Sequence, residues 1–288
     1  MPLAALVLVL IAALLHAIWN LLAKDTGDSS AFMWWGVTTG ALWFGVWVFT
    51  QAWLGLPREI WLAFAASLVM EVAYVWLITR GYATGDLSQV YPIARGAPPL
   101  LIALWSAIFL AERLPVLGYV GILLLVFGVY VASLPTLGDI LKPLSALTHR
   151  PAQWALLAAV CVSIYSVIDK VNLTFTTPLV YNVWVYAGIS LGYAPFAWSR
   201  VNRESTLREW QTKWRRIVIG SVATIASYVL ALTGMSMTAA SYVGAVRATS
   251  VVMGALFGWL LLKEKLGAVR VFAALTMVAG LLLVAVAQ

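Results

Sequence analysis

The sequence predicts an all-α, polytopic membrane protein with ten transmembrane helices, arranged as two inverted repeats of five helices each. Composition is the first reason, because 63% of the residues are apolar and 10% are charged, whereas a soluble domain averages about 25% charged residues. The second reason is that apolar stretches recur at the length of roughly 20 residues that a helix needs to cross a bilayer core. The third is that the second half of the chain repeats residues of the first.

The continuous apolar stretches are predicted to be helices, because backbone N–H and C=O groups must pair within the segment when lipid surrounds it. In chain order, the ten predicted helices cover residues 3–22, 31–53, 60–79, 88–110, 115–133, 152–170, 178–199, 217–236, 240–262 and 267–287. The connections are short, apart from 134–151 and 200–216, so no soluble domain is expected. The first helix is not expected to be a cleaved signal peptide, because no Lys or Arg precedes it and it contains His16 and Asn20.

The internal repeat is clearest in predicted helices 4 and 9. The segment YPIARGAPPLLIALWSAIFLAERL (Tyr91–Leu114) aligns with VGAVRATSVVMGALFGWLLLKEKL (Val243–Leu266) at a shift of 152 residues. The alignment places Arg247 on Arg95. A weaker match relates AYVWLIT (73–79) in predicted helix 3 to SYVLALT in predicted helix 8.

The repeat divides the chain into an N-terminal repeat at 1–133, a linker at 134–151 and a C-terminal repeat at 152–288. Each repeat holds five predicted helices. Because five is odd, the second repeat enters the membrane from the opposite face, so the two are inverted. Transporters with this plan bind substrate near the membrane midplane and alternate access by moving one part against the other.

Basic residues are distributed unevenly between the two faces of the predicted membrane domain. The loops after helices 1, 3, 5, 7 and 9 contain thirteen Lys and Arg residues, and the loops on the other face contain three. Cytoplasmic loops are enriched in Lys and Arg, so the basic loop 200–216 is predicted to be cytoplasmic and both termini to lie on the opposite side. Basic segments beside a membrane contact anionic lipid. The net charge of +7 is therefore expected to reflect contact with membrane lipid, and binding of nucleic acid is not expected.

Several classes of function lack their characteristic motifs in this sequence. It contains no phosphate-cradling P-loop, so ATP hydrolysis by the chain is not expected. It also contains no acid–His metal cluster and no nucleophile elbow, so neither an enzyme activity nor a cofactor is expected. A channel is the remaining alternative, but channels use a filter-forming segment or rings of like charge, and the repeat favours a carrier.

Arg95 and Arg247 are the first candidates for a substrate site. Each lies well inside an apolar stretch, where an arginine costs at least about 2.5 kcal/mol and needs a counter-charge, a carbonyl partner or a water-filled cavity. Equivalent positions in inverted repeats would place them near the two mouths of one central cavity. There they would bind a substrate carboxylate. The structural alternative is that each extends to its interface or caps a neighbouring helix.

Three other polar residues lie inside predicted helices. Glu71 is the acidic residue near the middle of a predicted helix, and it fits a proton carrier, an ammonium ligand, an ion-pair partner of an arginine, or a neutral structural group. His16 and Asn20 lie one turn apart on one face of predicted helix 1. Histidine titrates near neutrality and suits a proton relay, but hydrogen bonding between helices is the simpler interpretation.

Aromatic residues in or beside predicted helices 3, 4, 8 and 9 are candidates to line the cavity for apolar or aromatic side chains. They are Tyr74, Tyr82, Tyr91, Trp105, Tyr228 and Tyr242. For any one of them, simple packing is the alternative interpretation. In predicted helix 4, Pro92, Pro98 and Pro99 indicate a broken helix that lines the cavity.

Charged residues at the ends of predicted helices are interpreted as structural. Asp169 and Lys170 are expected to face the membrane interface. Glu112 and Glu264 are each followed by a basic residue and Leu at the ends of predicted helices 4 and 9, and they are also expected to be structural.

The chain resembles the drug/metabolite transporter superfamily, in its branch of ten-helix EamA-type exporters. The resemblance rests on HAIWNLLAK at 16–24, the duplicated five-helix unit, the LAERL and LKEKL ends of predicted helices 4 and 9, and glycine-rich helices 5 and 10. Within this branch it resembles aromatic amino-acid exporters of the YddG type. Four-helix multidrug members carry a proton- and cation-binding glutamate in the first helix, which this chain lacks.

The resemblance implies a multi-pass protein of the bacterial inner (plasma) membrane, acting as a monomer or a weak dimer. It implies export of a small amphiphilic molecule by alternating access, with aromatic or bulky apolar amino acids favoured. Other metabolites or drug-like cations are the alternative substrates. Proton coupling and downhill uniport both remain open.

Overall fold

The structure is a computed structural model that describes residues 1–24, 26–51, 55–84, 87–134, 136–141, 148–199, 201–262 and 268–287. All regular structure in these ranges is helical. The α-helices are α1 (Leu3–Lys24), α2 (Ser29–Gln51), α3 (Trp61–Thr84), α4 (Leu87–Phe109), α5 (Val116–Ala132), α6 (Arg150–Asn172), α7 (Pro178–Ala197), α8 (Arg203–Met237), α9 (Ala240–Arg247), α10 (Ser250–Leu262) and α11 (Ala268–Val286). Short 3-10 turns cover Arg58–Ile60 and Leu137–Asp139.

The predicted helices are all present. Helix α3 ends five residues later than predicted, at Thr84, and two other helices differ more. Predicted helix 8 starts 14 residues earlier, so that α8 is a single helix of 35 residues. At a rise of 1.5 Å per residue it is about 52 Å long and exceeds a bilayer core of about 30 Å. The segment 203–216 was predicted as a loop because it is polar, but a polar segment outside the lipid can continue a helix as readily as end it.

Among the described residues, six helices are long and apolar enough to cross a membrane by length and composition alone. They are Leu3–Ala23, Ser30–Thr50, Arg58–Gly81, Arg150–Asn172, Arg203–Met237 and Ala268–Val286. Ile93–Phe109 and Val116–Ala132 are shorter apolar helices. The remaining described helices do not meet these criteria of length and hydropathy. They are α7, which contains the polar residues Asn182 and Ser190, and the pair α9 and α10.

Predicted helix 9 is divided into α9 and α10 immediately after Arg247. The amides of Ala248 and Thr249 donate hydrogen bonds to carbonyls three residues earlier. The Thr249 hydroxyl donates to Val246 O at 2.7 Å. These contacts tighten the backbone and end the regular α-helix. By contrast, α4 runs without interruption from Leu87 to Phe109, so the proline-based prediction of a broken helix 4 is wrong.

Most of the packing joins helices of opposite repeats. Helix α3 packs on α6 and α1 packs on α8, while α5 packs on α11, α4 on α9 and α2 on α7. Exchanging the two repeats converts the first of these contacts into the second and each of the other three into itself. A two-fold relation between the repeats requires this pattern.

The contact between α5 and α11 shows the two-fold relation at the level of atoms. A Cβ added to Gly128 would lie 3.0 Å from Ala273 O, and a Cβ added to Gly280 would lie 2.8 Å from Gly121 O. A shift of 152 residues converts the first contact into the second. Glycine at both positions therefore permits the two backbones to approach closely, as small residues do at membrane helix contacts.

A glutamate at the end of α4 joins the first repeat to the second. Glu112 accepts hydrogen bonds from the amide of Ala240 at 2.8 Å and from the amide and hydroxyl of Ser241 at 3.4 and 2.7 Å. It thus caps the first turn of α9, where a negative charge also favours the helix dipole. These contacts agree with the structural interpretation of Glu112, and Glu264 lies outside the described residues.

Candidate functional site

A cavity of about 210 Å³ lies between the two repeats. Side chains from α1 to α4 form one part of its wall, and side chains from α6 to α10 form the other. One buried water needs about 10–15 Å³ by a comparable measure, so the cavity has room for a small solute. Helices α5 and α11 pack on each other outside this wall.

The two arginines of the repeat both line this cavity. Arg95 Nη1 lies 3.4 Å from His16 Nε2, and the guanidinium carbon of Arg247 lies 5.6 Å from the centre of the Tyr228 ring. Both side chains are partly buried. A guanidinium has only donors, so His16 Nε2 is the acceptor, and His16 is then neutral with its proton on Nδ1. This geometry favours the cavity interpretation over extension to the membrane interface.

The repeat also explains which residues of α1 and α6 reach the cavity. His16, Trp19 and Asn20 line it from α1. Residues 146 positions later, namely Val162, Tyr165 and Ser166, line it from α6. The prediction named His16 and Asn20 and missed Trp19 and the whole α6 set, although Leu22-Ala23-Lys24 against Ile168-Asp169-Lys170 gives the same shift.

Two of the predicted aromatic residues line the cavity. Tyr74 and Tyr228 do so from equivalent positions of α3 and α8. Tyr74 contacts Tyr165 edge-on with ring centres 6.4 Å apart, and Tyr228 contacts Tyr186 at 5.8 Å. Tyr165 and Tyr186 were missed, and both line the cavity. The side chains of Tyr82 and Tyr91 lie outside the described residues.

Trp105 and Tyr242 do not line the cavity, which corrects the prediction. The indole N–H of Trp105 donates to Ser163 Oγ at 3.0 Å, so its ring lies between α4 and α6, where the partly buried N–H has a partner. Tyr242 is five residues before Arg247 and points about 140° away around the helix. Its hydroxyl lies against Gly118 of α5 and 3.5 Å from Ala287 O.

Two acidic side chains meet at a single tyrosine beside the cavity. The Tyr228 hydroxyl lies 2.8 Å from Glu71 Oε1 and 2.8 Å from Asp169 Oδ2. Asp169 Oδ1 accepts hydrogen bonds from Ser67 Oγ at 2.5 Å and from the Tyr181 hydroxyl at 2.6 Å. Glu71 is 4% exposed and Asp169 1% exposed, so both carboxyls depend on protein partners.

The position of Asp169 corrects the prediction that it faces the membrane interface. Helix α6 continues to Asn172, and Asp169 lies on its buried face, against Tyr181 and Tyr228. Lys170 is partly buried and donates to the carbonyls of Met235 and Thr238 at 2.6 and 3.0 Å. These are carbonyls at the end of α8, which a cation stabilises.

The comparison with protein families matches residues 3–134 and 150–286 separately to one model, the EamA-like transporter family. The chain belongs to the EamA-like transporter family. It is therefore a multi-pass membrane transporter, and its two five-helix repeats each correspond to one copy of the family unit. The aromatic amino-acid exporter subtype is a finer assignment that the family match does not carry.

A crystal structure resembles this EamA-like transporter along nearly its whole length. The TM-score is 0.73 at 19% sequence identity, and the match covers 98% of this chain and 96% of that chain. At this identity the likeness demonstrates the fold alone. The sequence matches none of the curated proteins significantly.

Proposed function

We propose that this EamA-like transporter is a secondary carrier of the bacterial inner (plasma) membrane that exports small amphiphilic metabolites by alternating access. Amino acids are the favoured substrates, with aromatic or bulky apolar side chains first. The observation that carries the proposal is the pair Arg95 and Arg247, which the two repeats bring to one cavity from equivalent positions.

The charges around the cavity suit a zwitterion. Arg95 and Arg247 offer donors that match a carboxylate, and Glu71 offers an acceptor for an ammonium group. A molecule carrying both charges would satisfy groups of both signs without leaving a net charge in the membrane. This is cheaper than moving an isolated charge, which a bilayer centre strongly disfavours.

The remaining wall suits an apolar or aromatic side chain. Rings of Trp19, Tyr74, Tyr165, Tyr186 and Tyr228 surround the polar groups. Aromatic side chains contribute large contact areas and edge-to-face contacts with other rings. Access to this wall from alternate sides would follow from movement of one repeat against the other.

Export requires a defined orientation, and the charge count supplies one. The thirteen basic residues on the face that includes 200–216 favour the cytoplasm for that face. A reporter that is active in the cytoplasm alone, fused after Gln288, should therefore be inactive. An active reporter would reverse the orientation without touching the substrate assignment.

Transport by arginine variants tests the substrate assignment. A charge-assisted hydrogen bond to a carboxylate is worth roughly 1.5–3 kcal/mol, so Arg95→Ala and Arg247→Ala should each weaken amino-acid transport in proteoliposomes about ten- to a hundredfold. Amino-acid esters, which lack the carboxylate, should lose less. Lysine should restore only part of the activity, because it cannot make a planar two-pronged contact.

Arg80→Ala is the matched control for loss of one guanidinium. Arg80 is exposed on α3 and stacks over Trp76 at 5.2 Å, outside the cavity. Its removal should leave transport kinetics close to those of the unmodified protein. A folded Arg95→Ala/Arg247→Ala double variant with unchanged kinetics for a zwitterion would reject the proposed site.

A second substrate class, drug-like cations, is favoured by one observation. Glu71 lines the cavity and Asp169 lies behind it at Tyr228, and a cation could replace the proton that the two carboxyls need. The same arginine variants discriminate between the classes, because a cation carrier should lose nothing, or gain activity, when a positive charge leaves the cavity.

A further inference from the structure

The hydroxyl of Tyr228 has one proton and two carboxyl neighbours. Its oxygen lies 2.8 Å from Glu71 Oε1 and 2.8 Å from Asp169 Oδ2, and both distances are those of O–H···O hydrogen bonds. A phenol donates one hydrogen bond. If both carboxyls were ionised, one of the contacts would join two oxygens with no hydrogen between them. The cluster therefore needs one additional proton.

The hydrogen bonds identify which carboxyl holds that proton. Asp169 Oδ1 already accepts from Ser67 and Tyr181, and Asn172 Nδ2 donates to the Tyr181 oxygen at 3.0 Å, which directs the Tyr181 proton towards Asp169. Asp169 is thus supplied with donors as an ionised carboxylate is.

Glu71 is in the opposite situation. Its Oε1 contacts Tyr228, while its Oε2 is buried and has no hydrogen-bond partner among the residues that the structure describes. A buried ionised oxygen without a donor costs the full desolvation penalty, so the neutral carboxylic acid fits this site. The resulting chain of donors runs from Glu71 to the Tyr228 oxygen and from the Tyr228 hydroxyl to Asp169.

The charged and titratable groups that face Glu71 come from several helices. They are Asp169 and Tyr165 on α6, Tyr186 on α7, Tyr228 on α8 and Arg247 on α9. With Glu71 protonated, the negative Asp169 lies beside a cavity that holds the positive Arg95 and Arg247. Loss of the proton places a second negative charge beside the cavity, on Glu71 itself, and that charge attracts a cationic group.

We propose that Glu71, Tyr228 and Asp169 form a site for one exchangeable proton, and that the ammonium group of the substrate displaces this proton from Glu71. The competition rests on the proposed amino-acid transport, whereas the proton site itself does not. Proton binding at Glu71 and substrate binding then exclude each other, which is the condition for exchanging one proton for one substrate across the membrane. Glu71 lines the cavity, so the proton and the ammonium group reach it from the same space.

Difference infrared spectroscopy of the substrate-free protein tests the proton site. A protonated carboxyl band should appear as pH is lowered, should shift on ¹³C-glutamate labelling but not on ¹³C-aspartate labelling, and should be absent in Glu71→Gln. The labelling arm decides the assignment in the unmodified protein even if a variant does not fold. A band that shifts with labelled aspartate would overturn the assignment, as would the absence of any band.

Tyr74→Phe is the matched control for Tyr228→Phe, because Tyr74 lies at the equivalent position of the other repeat. Removing the Tyr228 hydroxyl should shift the carboxyl band, since the acceptor of Glu71 is lost. Removing the Tyr74 hydroxyl should leave the band in place. Equal shifts in both variants would show that Tyr228 has no special role.

Proton release on binding tests the competition. In weakly buffered detergent solution with a pH-sensitive dye, an amino acid should release one proton per molecule bound, and its affinity should fall up to tenfold per pH unit on acidification. The N-acetyl derivative, which lacks the ammonium group, should release none. Glu71→Gln removes the proton site together with the ammonium ligand, so it should bind the amino acid more weakly and release no proton on binding.

The outcomes separate the inference from the proposed function. Amino-acid binding without proton release would overturn the competition and leave the proposed function intact. Absence of amino-acid binding would overturn both, and the infrared band would still decide the proton site. A carboxyl band that disappears when NaCl replaces choline chloride at constant pH would identify a sodium site and overturn the proton assignment.

Discussion

Two contacts between helices have equivalent positions in the fold and opposite chemistry. The contact of α3 with α6 contains Glu71 and Asp169, joined through Tyr228. The contact of α1 with α8 is related to it by exchange of the repeats. There the position of Glu71 is taken by Ile225, and the position of Asp169 by Ala23. The two contacts pack in the same way, but these acidic residues occur only at the contact of α3 with α6.

The apolar contact is filled by a tryptophan where the polar one is filled by hydrogen bonds. Trp19 stacks on Phe32 with ring centres 4.9 Å apart, and its ring occupies the space where side chains at Gly36 and Gly220 would lie. A buried acid is expensive in a membrane, so an acid pair in both contacts would double the cost. The difference indicates that the helix packing is common to both repeats, whereas the acidic groups belong to the contact of α3 with α6 alone.

The largest expected effect comes from removing Asp169. Asp169→Ala should destabilise the protein by about 3–5 kcal/mol, because a buried polar cluster that loses its charged acceptor leaves several donors unpaired. The measurement is the free energy of unfolding in detergent micelles. Ser67→Ala removes one of the donors to Asp169 and should cost about 1 kcal/mol. Equal losses in the two variants would show that the hydrogen bonds at Asp169 do not act as a cluster.

The contact between α5 and α11 provides a test of the two-fold relation itself. Gly128→Ala and Gly280→Ala should each destabilise by about 1–3 kcal/mol, because each adds a methyl group to a tightly packed contact. The loss should be larger at Gly280, where the new Cβ would lie 2.8 Å from a carbonyl oxygen and 2.9 Å from a backbone nitrogen. At Gly128 its nearest neighbour is the flexible side chain of Met277.

Thermal unfolding of the two glycine variants in the same detergent measures this difference. A variant that unfolds like the unmodified protein at either position would mean that α5 and α11 separate more easily than their contact indicates. Similar losses at both positions would support a symmetric contact whose neighbours adjust equally.

The part of the fold that depends on composition and repetition was predictable from the sequence. Apolar length defined the helices, and the shift of 152 residues brought Arg95 and Arg247 to related positions. The direction of individual side chains was not predictable, because it depends on how each helix is rotated by its neighbours. Trp105 and Tyr242 lie in the predicted helices and still point away from the cavity.

The acid cluster was missed for a related reason. Asp169 lies three residues before the end of α6, and hydropathy places such a residue at the interface. Its partners Ser67, Tyr181 and Tyr228 come from three other helices. A hydrogen-bonded set collected from four helices has no signature in a single sequence.

The capping of α9 by Glu112 provides another test of the contacts between the two repeats. Glu112→Gln should cost about 1 kcal/mol, since a capping side chain contributes about 0.5–2 kcal/mol and glutamine keeps one acceptor oxygen without the charge. Glu112→Ala should cost more. The measurement is again the free energy of unfolding in micelles, and Glu204→Gln is the control, because Glu204 is an exposed acid in the first turn of α8. No difference from this control would remove Glu112 as a contact between the repeats.

The smallest expected effect lies one residue before this cap. Among the described residues, Ala111 is the one that is not glycine and has a positive φ, of 51°. The left-handed conformation costs a residue with a Cβ roughly 1–2 kcal/mol, and glycine adopts it freely. Glycine also loses about 0.5–1 kcal/mol more backbone entropy on folding. The first effect is the larger, so Ala111→Gly should stabilise the protein by about 0.5–1 kcal/mol.

The matched control is Ala107→Gly, an exposed alanine inside α4. Helical glycine is less favourable than alanine by about 1 kcal/mol, so this variant should be destabilised while Ala111→Gly is stabilised. Thermal unfolding in the same micelles measures the opposite signs. If both variants lose stability, the turn at Ala111 carries no strain that glycine relieves. The role of Ala111 would then be to orient Glu112, whose hydrogen bonds to Ala240 and Ser241 join the first repeat to the second.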